Sequence, residues 1–359
     1  MGPFVEGGLG GVGQRFLLRD PASVSQVREA VREEAQWVGL SKVQCESLVT
    51  AASELGHNQL AHAGLGEMAV RRIRRGTVAG VEVLALDRGP GIADPVRALG
   101  DQPAGPSPLA GEAGPPRGGR GGLGIGLSGV YRLADEVDFD VRRQEGTFIA
   151  ARKFIAAVPR QEVAVLGRPY PGEAESGDDA FFAWTAGDLH LAVADGLGHG
   201  SLARDASRRA VAAAAAKGDA PLIEGLEAAH AAATGTRGTV LALVRFTAEE
   251  GGLCHAGVGN VSAHLQQGRQ GRRFLVAAGF LGASHSETRR HSLARRAPEE
   301  RVAIGHKDVL LMFTDGLTSR LDLGAHLDLL REPPLVVAHR LLAQYGRDND
   351  DALLLVARL

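Results

Sequence analysis

The 359 residues carry 40 Lys and Arg against 42 Asp and Glu, a formal charge of −2, with 44% hydrophobic and only 4% aromatic residues. That balance excludes a general attraction to nucleic acid or to an anionic membrane surface, and the shortage of aromatics argues against stacking on bases. The length predicts two domains, the widely spaced Cys45 and Cys254 predict buried thiols in a reducing compartment, and the lack of a signal sequence or membrane-length apolar run predicts a soluble cytoplasmic protein.

Residues 8–13, GLGGVG, fit G-x-G-x-x-G, but no strand precedes them and no acidic partner follows at the right distance. Residues 1–13 therefore read as a flexible leader, not as a dinucleotide loop. A short strand over Phe16–Arg19 is followed by Asp20-Pro21, a helix cap with a first-turn proline. Val24, Val27, Val31, Ala35 and Val38 then recur at helical spacing. Ser41 opens a second helix that carries SELGHNQLAHAG, residues 53–64. Glu54 and Asn58 are four apart and share one face of it, which by itself is usually a solvated face. His57 and His62 read as packing or surface residues rather than ligands.

Two strands follow, 67–75 and 79–87, the second ending at Asp87 in DRGPGI. A carboxylate there can accept from an adenine amino group while Gly89 and Gly91 let the backbone pass close to the ring. A Pro/Gly-rich loop over 95–121 runs into GGLGIGL, residues 121–127, whose glycines open a helix at Leu127–Ala134 and offer free amides to phosphate. Strands Glu136–Arg142 and Thr147–Phe154, joined through Gly146, close this unit.

Glu54/Asn58, D-x-G-x-G at Asp87–Gly91 and G-x-G-x-G at Gly122–Gly126 stand in the order of the GHKL ATPase fold. The string S-E-L-x-x-N-x-x-x-H-A-G resembles its serine-kinase branch, which includes the anti-sigma-factor kinases and RsbT. The likeness spans residues 14–155 and implies an α/β two-layer sandwich (the Bergerat fold) that binds ATP and Mg²⁺. It implies that Asn58 ligates Mg²⁺ at the ATP phosphates and that Glu54 is the general base for a substrate serine. It further implies that Asp87 binds adenine, with Gly89 and Gly91 lining that pocket and Thr147 supporting it, and that Gly122, Gly124 and Gly126 cradle the phosphates. The lack of an upstream phospho-acceptor histidine domain predicts against a two-component histidine kinase.

Residues 156–175 form a short join containing a first strand near Val163–Leu166. Ser176-Gly177-Asp178 precedes a strand over Ala180–Thr185. In the stretch LAVADGLGHG, residues 191–200, the alternation Leu189, Leu191, Val193 reads as a buried strand ending in Asp195-Gly196. An alanine-rich helix over 203–216 follows the glycine turn. The Asp195 carboxylate and Gly196 carbonyl are hard oxygen donors suited to Mg²⁺ or Mn²⁺, although Asp-Gly after a strand is by itself usually only a turn. Beyond lie a helix over Pro221–Ala233, strands at 240–246, 252–256, 261–266, 272–277, 309–314 and 352–357, and helices over 322–331 and 335–345. Strands dominate and helices come in pairs, as in two sheets covered by helices. Arg289, Arg290, Arg295 and Arg296 form a basic cluster, read as a solvated strand edge in preference to a phosphoprotein patch.

Asp178, Asp195, Asp315 and Asp350 each stand at the edge of a buried strand. Together they suggest hard-metal ligands at one sheet edge, where two ions roughly 3.5–4 Å apart can share and acidify a water for phosphate-ester hydrolysis. A cysteine-phosphatase loop is excluded, since Ala51 and Asn260, not arginines, stand six positions after the cysteines. SGD (176–178), VADGLGHG (193–200), AGVGN (256–260), FTDGL (313–317) and DDALLLV (350–356) resemble the metal-dependent PPM phosphatases, in the branch of SpoIIE and RsbX, over residues 160–359. The resemblance implies an α-β-β-α four-layer sandwich with two Mn²⁺ or Mg²⁺. Asp195 would bridge both ions with the Gly196 carbonyl on one, Asp315 and Asp350 (or Asp351) would bind the second, and Asp178 would hold one directly or through water. The family's phosphate-contacting arginine has no assignable counterpart.

The fold class expected is α+β, a GHKL sandwich followed by a PPM sandwich. The expected function is a fused regulator, a protein serine/threonine kinase joined to a metal-dependent phosphatase. Its partner would be a STAS-domain anti-anti-sigma or stressosome-type phosphoprotein, or another partner-switching regulator, with no nucleic acid and no membrane. The alternative is that only the phosphatase is catalytic and the GHKL domain senses ATP or binds a sigma or STAS protein.

Overall fold

The computed structural model describes residues 13–100, 125–185, 187–282 and 296–359. The chain separates into two compact units, one of residues 13–138 and 146–158 and one of residues 139–145 and 159–359.

In the first unit, strand β1 (Gln14–Leu18) leads to helices α1 (Pro21–Val38) and α2 (Lys42–His62), then to strands β2 (Gly66–Arg75) and β3 (Val78–Asp87). A five-residue helix α3 (Pro95–Leu99) begins the segment expected to be loop, capped by the Asp94 side chain on the Arg97 amide. Helix α4 (Gly126–Leu133) and strands β4 (Glu136–Arg142) and β5 (Gly146–Phe154) complete it. The Asp20 side chain accepts from the Ser23 amide at 2.8 Å and Pro21 fills the first turn of α1. At α2, Ser41 and Gln44 form a reciprocal capping box, which fixes where the helix starts and so the rotational phase of Glu54 and Asn58. The strands pair antiparallel in the order β1-β2-β3-β5, and α1 and α2 pack against them to give two layers.

The second unit contains strands β6 (Glu162–Arg168), β7 (Asp178–Thr185) and β8 (Asp188–Gly196), helices α5 (Ser201–Ala215) and α6 (Leu222–Ala233), and strands β9 (Thr239–Thr247), β10 (Gly252–Val258), β11 (Ser262–Gln267) and β12 (Gln270–Arg273). Strands β13 (Glu300–Ala303) and β14 (Val309–Phe313), helix α7 (Pro334–Tyr345) and strand β15 (Ala352–Arg358) follow. One sheet runs β6-β15-β14-β11-β12, with the Phe139–Arg142 end of β4 parallel to β6; the other runs β13-β10-β9-β8-β7. Helices α5 and α6 cover the second sheet and α7 covers β6 and β15 of the first, so the layers are α-β-β-α. β15 shows why its sequence is a continuous apolar run. Covered by α7 on one face and by the other sheet on its second, Leu353, Leu354 and Leu355 are fully buried, each worth about 1.5–3 kcal/mol.

Three expectations change. The helix expected over 322–331 is two short 3₁₀ turns, Leu323–His326, whose start the Asp322 side chain caps on the Gly324 amide, and Leu329–Arg331. The strand expected over 272–277 pairs with β11 only as far as Arg273; Ala277 instead bonds the end of β10 through Gly257 and Gly259. β13, a polar edge strand held by antiparallel pairing with β10, was not foreseen. No helix among the described residues is long and apolar enough to cross a membrane.

Candidate active sites

In the first unit, α2 presents Glu54, only 4% exposed, and the half-buried Asn58 one turn later. The Gly126 amide, first in α4, donates to Glu54 Oε2 at 3.3 Å, so the end of the glycine loop meets the expected general base. Glu54 Oε1 is buried without a hydrogen-bond partner among the described residues. An orphaned buried carboxylate oxygen is costly. His57 Nδ1 is occupied by the Ser53 carbonyl at 2.7 Å, in keeping with a packing role.

Asp87 closes β3 opposite Thr147 of β5. Burial raises its carboxyl above the usual range, while amide donors from Gly89 (2.8 Å) and Thr147 favour the ionised form. Gly146 has φ +136°, and a Cβ there would lie 2.0 Å from the Asp87 carbonyl oxygen, so no other residue fits beside the strand end. Gly91 follows with φ +81°. Asp87, Gly89 and Thr147 thus form one cluster, and Glu54 and Gly126 are joined by a hydrogen bond. Gly122 and Gly124 lie outside the described residues.

In the second unit, Asp178 opens β7 directly opposite Asp195 at the end of β8. Asp315 follows β14, and Asp350 and Asp351 precede β15. Burial, with Asp195 next to it, drives the Asp178 carboxyl well above its usual range. Burial and a hydrogen bond shared with Asp315 push Asp195 up to about 8. Asp350 is raised by burial and by Asp315. These shifts report crowded carboxylates, which come from strand ends of both sheets (β7 and β8 of one, β14 and β15 of the other) and not, as expected, from one sheet edge. Gly196 backs onto α5, where a Cβ would sit 2.1 Å from the Ala203 carbonyl oxygen.

Asp350 and Asp351 are placed differently. The Asp351 carboxylate accepts from the Tyr170 amide at 2.7 Å and also from Gly177 and Ser176, so much of its capacity is committed to holding the loop, although its Oδ2 is buried without a close partner. Asp350 is half-exposed; its charge acts on Asp195, and that of Asp315 acts on it. Among the described residues no three His, Cys, Asp or Glu side chains stand in metal-coordinating geometry. The fit to a cation is one of chemistry: clustered hard oxygen donors whose mutual repulsion a divalent ion relieves.

Two positioning residues were not foreseen. Asn260 Nδ2 donates to Asp315 Oδ2 at 2.8 Å. Thr314 Oγ1 donates to Asp178 Oδ2 at 2.7 Å and accepts from the Leu353 amide at 3.0 Å. Both lie inside quoted motifs, AGVGN and FTDGL, where a neutral side chain ending a turn beside a ligand was the available signal. Residues 283–295, with Arg289, Arg290 and Arg295 of the basic cluster, lie outside the described residues; Arg296 is exposed.

Residues 17–153 match the family model described as histidine kinase-like ATPase domain. The chain is 33% identical over 128 residues to the serine/threonine-protein kinase RsbT of Bacillus subtilis (strain 168), a match that covers 36% of this chain and 86% of that protein. A solved structure of the bacterial stressosome, a modular system adapted to control secondary messenger signaling, is 27% identical with a TM-score of 0.50, covering 55% of this chain and 99% of the other. RsbX in complex with magnesium is 21% identical with a TM-score of 0.49, covering 57% of this chain and 98% of the other.

Proposed function

Because this chain belongs, through residues 17–153, to the histidine kinase-like ATPase family in the branch of the RsbT kinase, we propose that it is a two-activity partner-switching regulator. Its first unit phosphorylates a serine or threonine on a STAS-type partner and its second removes such a phosphate. The observation that carries the kinase reading is Glu54, buried, held by Gly126 on one oxygen and, among the described residues, without a hydrogen-bond partner on the other.

ATP, when bound, supplies the transferable phosphoryl group, and Mg²⁺ on Asn58 supplies charge neutralisation. The chain's own residues do the rest. Asp87 and the Gly89 turn take the adenine amino group, and Gly126 offers its amide at the start of α4. Glu54 Oε1 accepts the proton of the substrate hydroxyl as its oxygen is phosphorylated. In the second unit, Mn²⁺ or Mg²⁺ would be held by Asp178, Asp195, Asp315, Asp350 and the Gly196 carbonyl, and would supply a water acidic enough to attack a phosphate ester. Asn260 and Thr314 orient Asp315 and Asp178.

The test is purified full-length chain, labelled ATP with Mg²⁺ and a STAS-domain acceptor. Label transfer is expected, falling about 10²–10⁴-fold in Glu54→Gln. Phosphate release from the labelled acceptor in Mn²⁺ is expected, and Asp195→Asn should abolish it. A Glu54→Gln protein that transfers label like wild type would reject the kinase half, and an active Asp195→Asn protein would reject the phosphatase half.

A further inference from the structure

Arg237 stands against the glycine turn that follows Asp195 and contributes to none of the roles above. Gly198, in the turn that Asp195 and Gly196 begin, has φ +90°, and a Cβ on it would lie 2.9 Å from Arg237 Nη1. The guanidinium therefore rests against that turn. The segment carrying Arg237 is tied to the same turn by backbone. The Leu197 amide donates to the Gly238 carbonyl at 3.0 Å, and Thr239 Oγ1 donates to the Asp195 carbonyl at 2.7 Å. On its other side Gly238 is packed under the Phe280 ring, and Thr239 bridges to Leu281. The backbone from which Arg237 projects is thus pinned, while its side chain is exposed.

The neighbouring arginines are committed elsewhere. Arg168 donates to the carbonyls of Asp350 and Arg347. Arg204 pairs with Glu145 and Glu175. Arg347 offsets the charge of Asp350. Among the described residues no ion pair takes up the Arg237 charge. A phosphomonoester dianion approaching five clustered carboxylates needs a cation that those carboxylates do not neutralise, and a planar guanidinium matches phosphoryl oxygens with two parallel donors.

We propose that Arg237 binds the phosphoryl oxygens of a phosphoserine or phosphothreonine side chain at the edge of the Asp195 turn. The proposal rests on the phosphatase reading of the second unit. Its role is substrate capture: the guanidinium sets the phosphate's position and takes no proton, so its loss weakens binding of ester and of free phosphate alike.

The experiment compares full-length wild type, Arg237→Ala and Arg237→Lys in Mn²⁺, using a phosphoserine peptide as substrate and inorganic phosphate as competitive inhibitor. Loss of a charge-assisted bidentate contact predicts KM and the phosphate inhibition constant rising about tenfold or more in Arg237→Ala, with kcat within about threefold and partial recovery in Arg237→Lys. Calorimetric Mn²⁺ affinity and melting temperature should match wild type in both variants. An Arg237→Ala protein with unchanged KM and unchanged phosphate inhibition overturns the proposal while leaving the phosphatase reading intact. So does a variant whose Mn²⁺ affinity falls in step with its activity, since that assigns Arg237 to the metal site. A wild-type chain that binds Mn²⁺ or Mg²⁺ yet never releases phosphate overturns the phosphatase reading itself.

Discussion

Asn260 illustrates how a neutral side chain can hold a candidate ligand. It donates to Asp315 Oδ2 at 2.8 Å and so fixes one of that carboxylate's oxygens. Outer partners of this kind change metal affinity without touching the metal. Asn260→Ala is expected to weaken Mn²⁺ binding about 10–100-fold with little change in melting temperature, as read by calorimetry on the isolated full-length protein. Equal affinities would show that Asp315 needs no such support. Thr314 has a different dependence, because it is fully buried and serves Asp178 and the Leu353 amide at once. Thr314→Val keeps the shape but strips both partners, and a buried group left unsatisfied costs about 1–3 kcal/mol. A urea midpoint lowered accordingly, at unchanged m-value, is the expected result; an unshifted midpoint would contradict it.

At the scale of elements, the first unit's sheet holds a buried charge network that decides its acid response. Arg152 on β5 reaches Glu82 on β3 at 2.7 Å and Asp138 on β4 at 2.5 Å, all of them almost fully buried. Burial alone would push the Glu82 carboxyl up, but Arg152 and Arg71 outweigh it and hold it below its usual range. A carboxyl depressed in the folded state adds stability at neutral pH that is lost as pH falls through its folded value. Removing the cation reverses the sign. In Arg152→Leu the carboxylates lose a partner, with an expected loss of about 3–5 kcal/mol at pH 7. The Glu82 carboxyl then rises, the folded state binds its proton more readily than the unfolded one, and the deficit should shrink on going from pH 7 to pH 5. Denaturant titrations at both pH values check this, and a deficit that grows with acid would refute it. The network also marks what the sequence could not disclose. Helix starts were legible because their signals are local: Asp20-Pro21, and Ser41 with Gln44. β15 was legible from its unbroken apolar run. Glu82, Asp138 and Arg152 stand on three different strands, and only the pairing of those strands brings them together. β13 was illegible for the same reason: its exposed, polar residues become a strand only against β10. Each candidate ligand could be read from its own motif, but the orienting bonds span far more chain, as with Asn260 and Asp315, and no local pattern encodes them.

For the whole molecule, the proposed reading places opposed reactions on one polypeptide, and this has a kinetic consequence that neither unit has alone. When one chain both adds and removes a phosphate, the acceptor settles at a level set by the ratio of the two rates and not by either rate. Doubling the amount of protein should therefore shorten the approach to the plateau without moving the plateau itself. With wild type, Mg²⁺ and excess ATP, acceptor labelling should stop short of completion; with Asp195→Asn it should proceed to completion at the wild-type initial rate. Hydrolysing the remaining ATP at the plateau then separates the cases. Label should decay in the wild-type reaction, because removal continues after supply has ended, and should persist in the Asp195→Asn reaction. With Glu54→Gln, no label should accumulate, yet acceptor labelled beforehand by Asp195→Asn should lose it on addition of Glu54→Gln, which shows removal without synthesis. Wild-type label that reaches completion and persists after ATP is gone would leave a kinase alone. A plateau that moves with protein amount would mean that the two rates are not both carried by this chain.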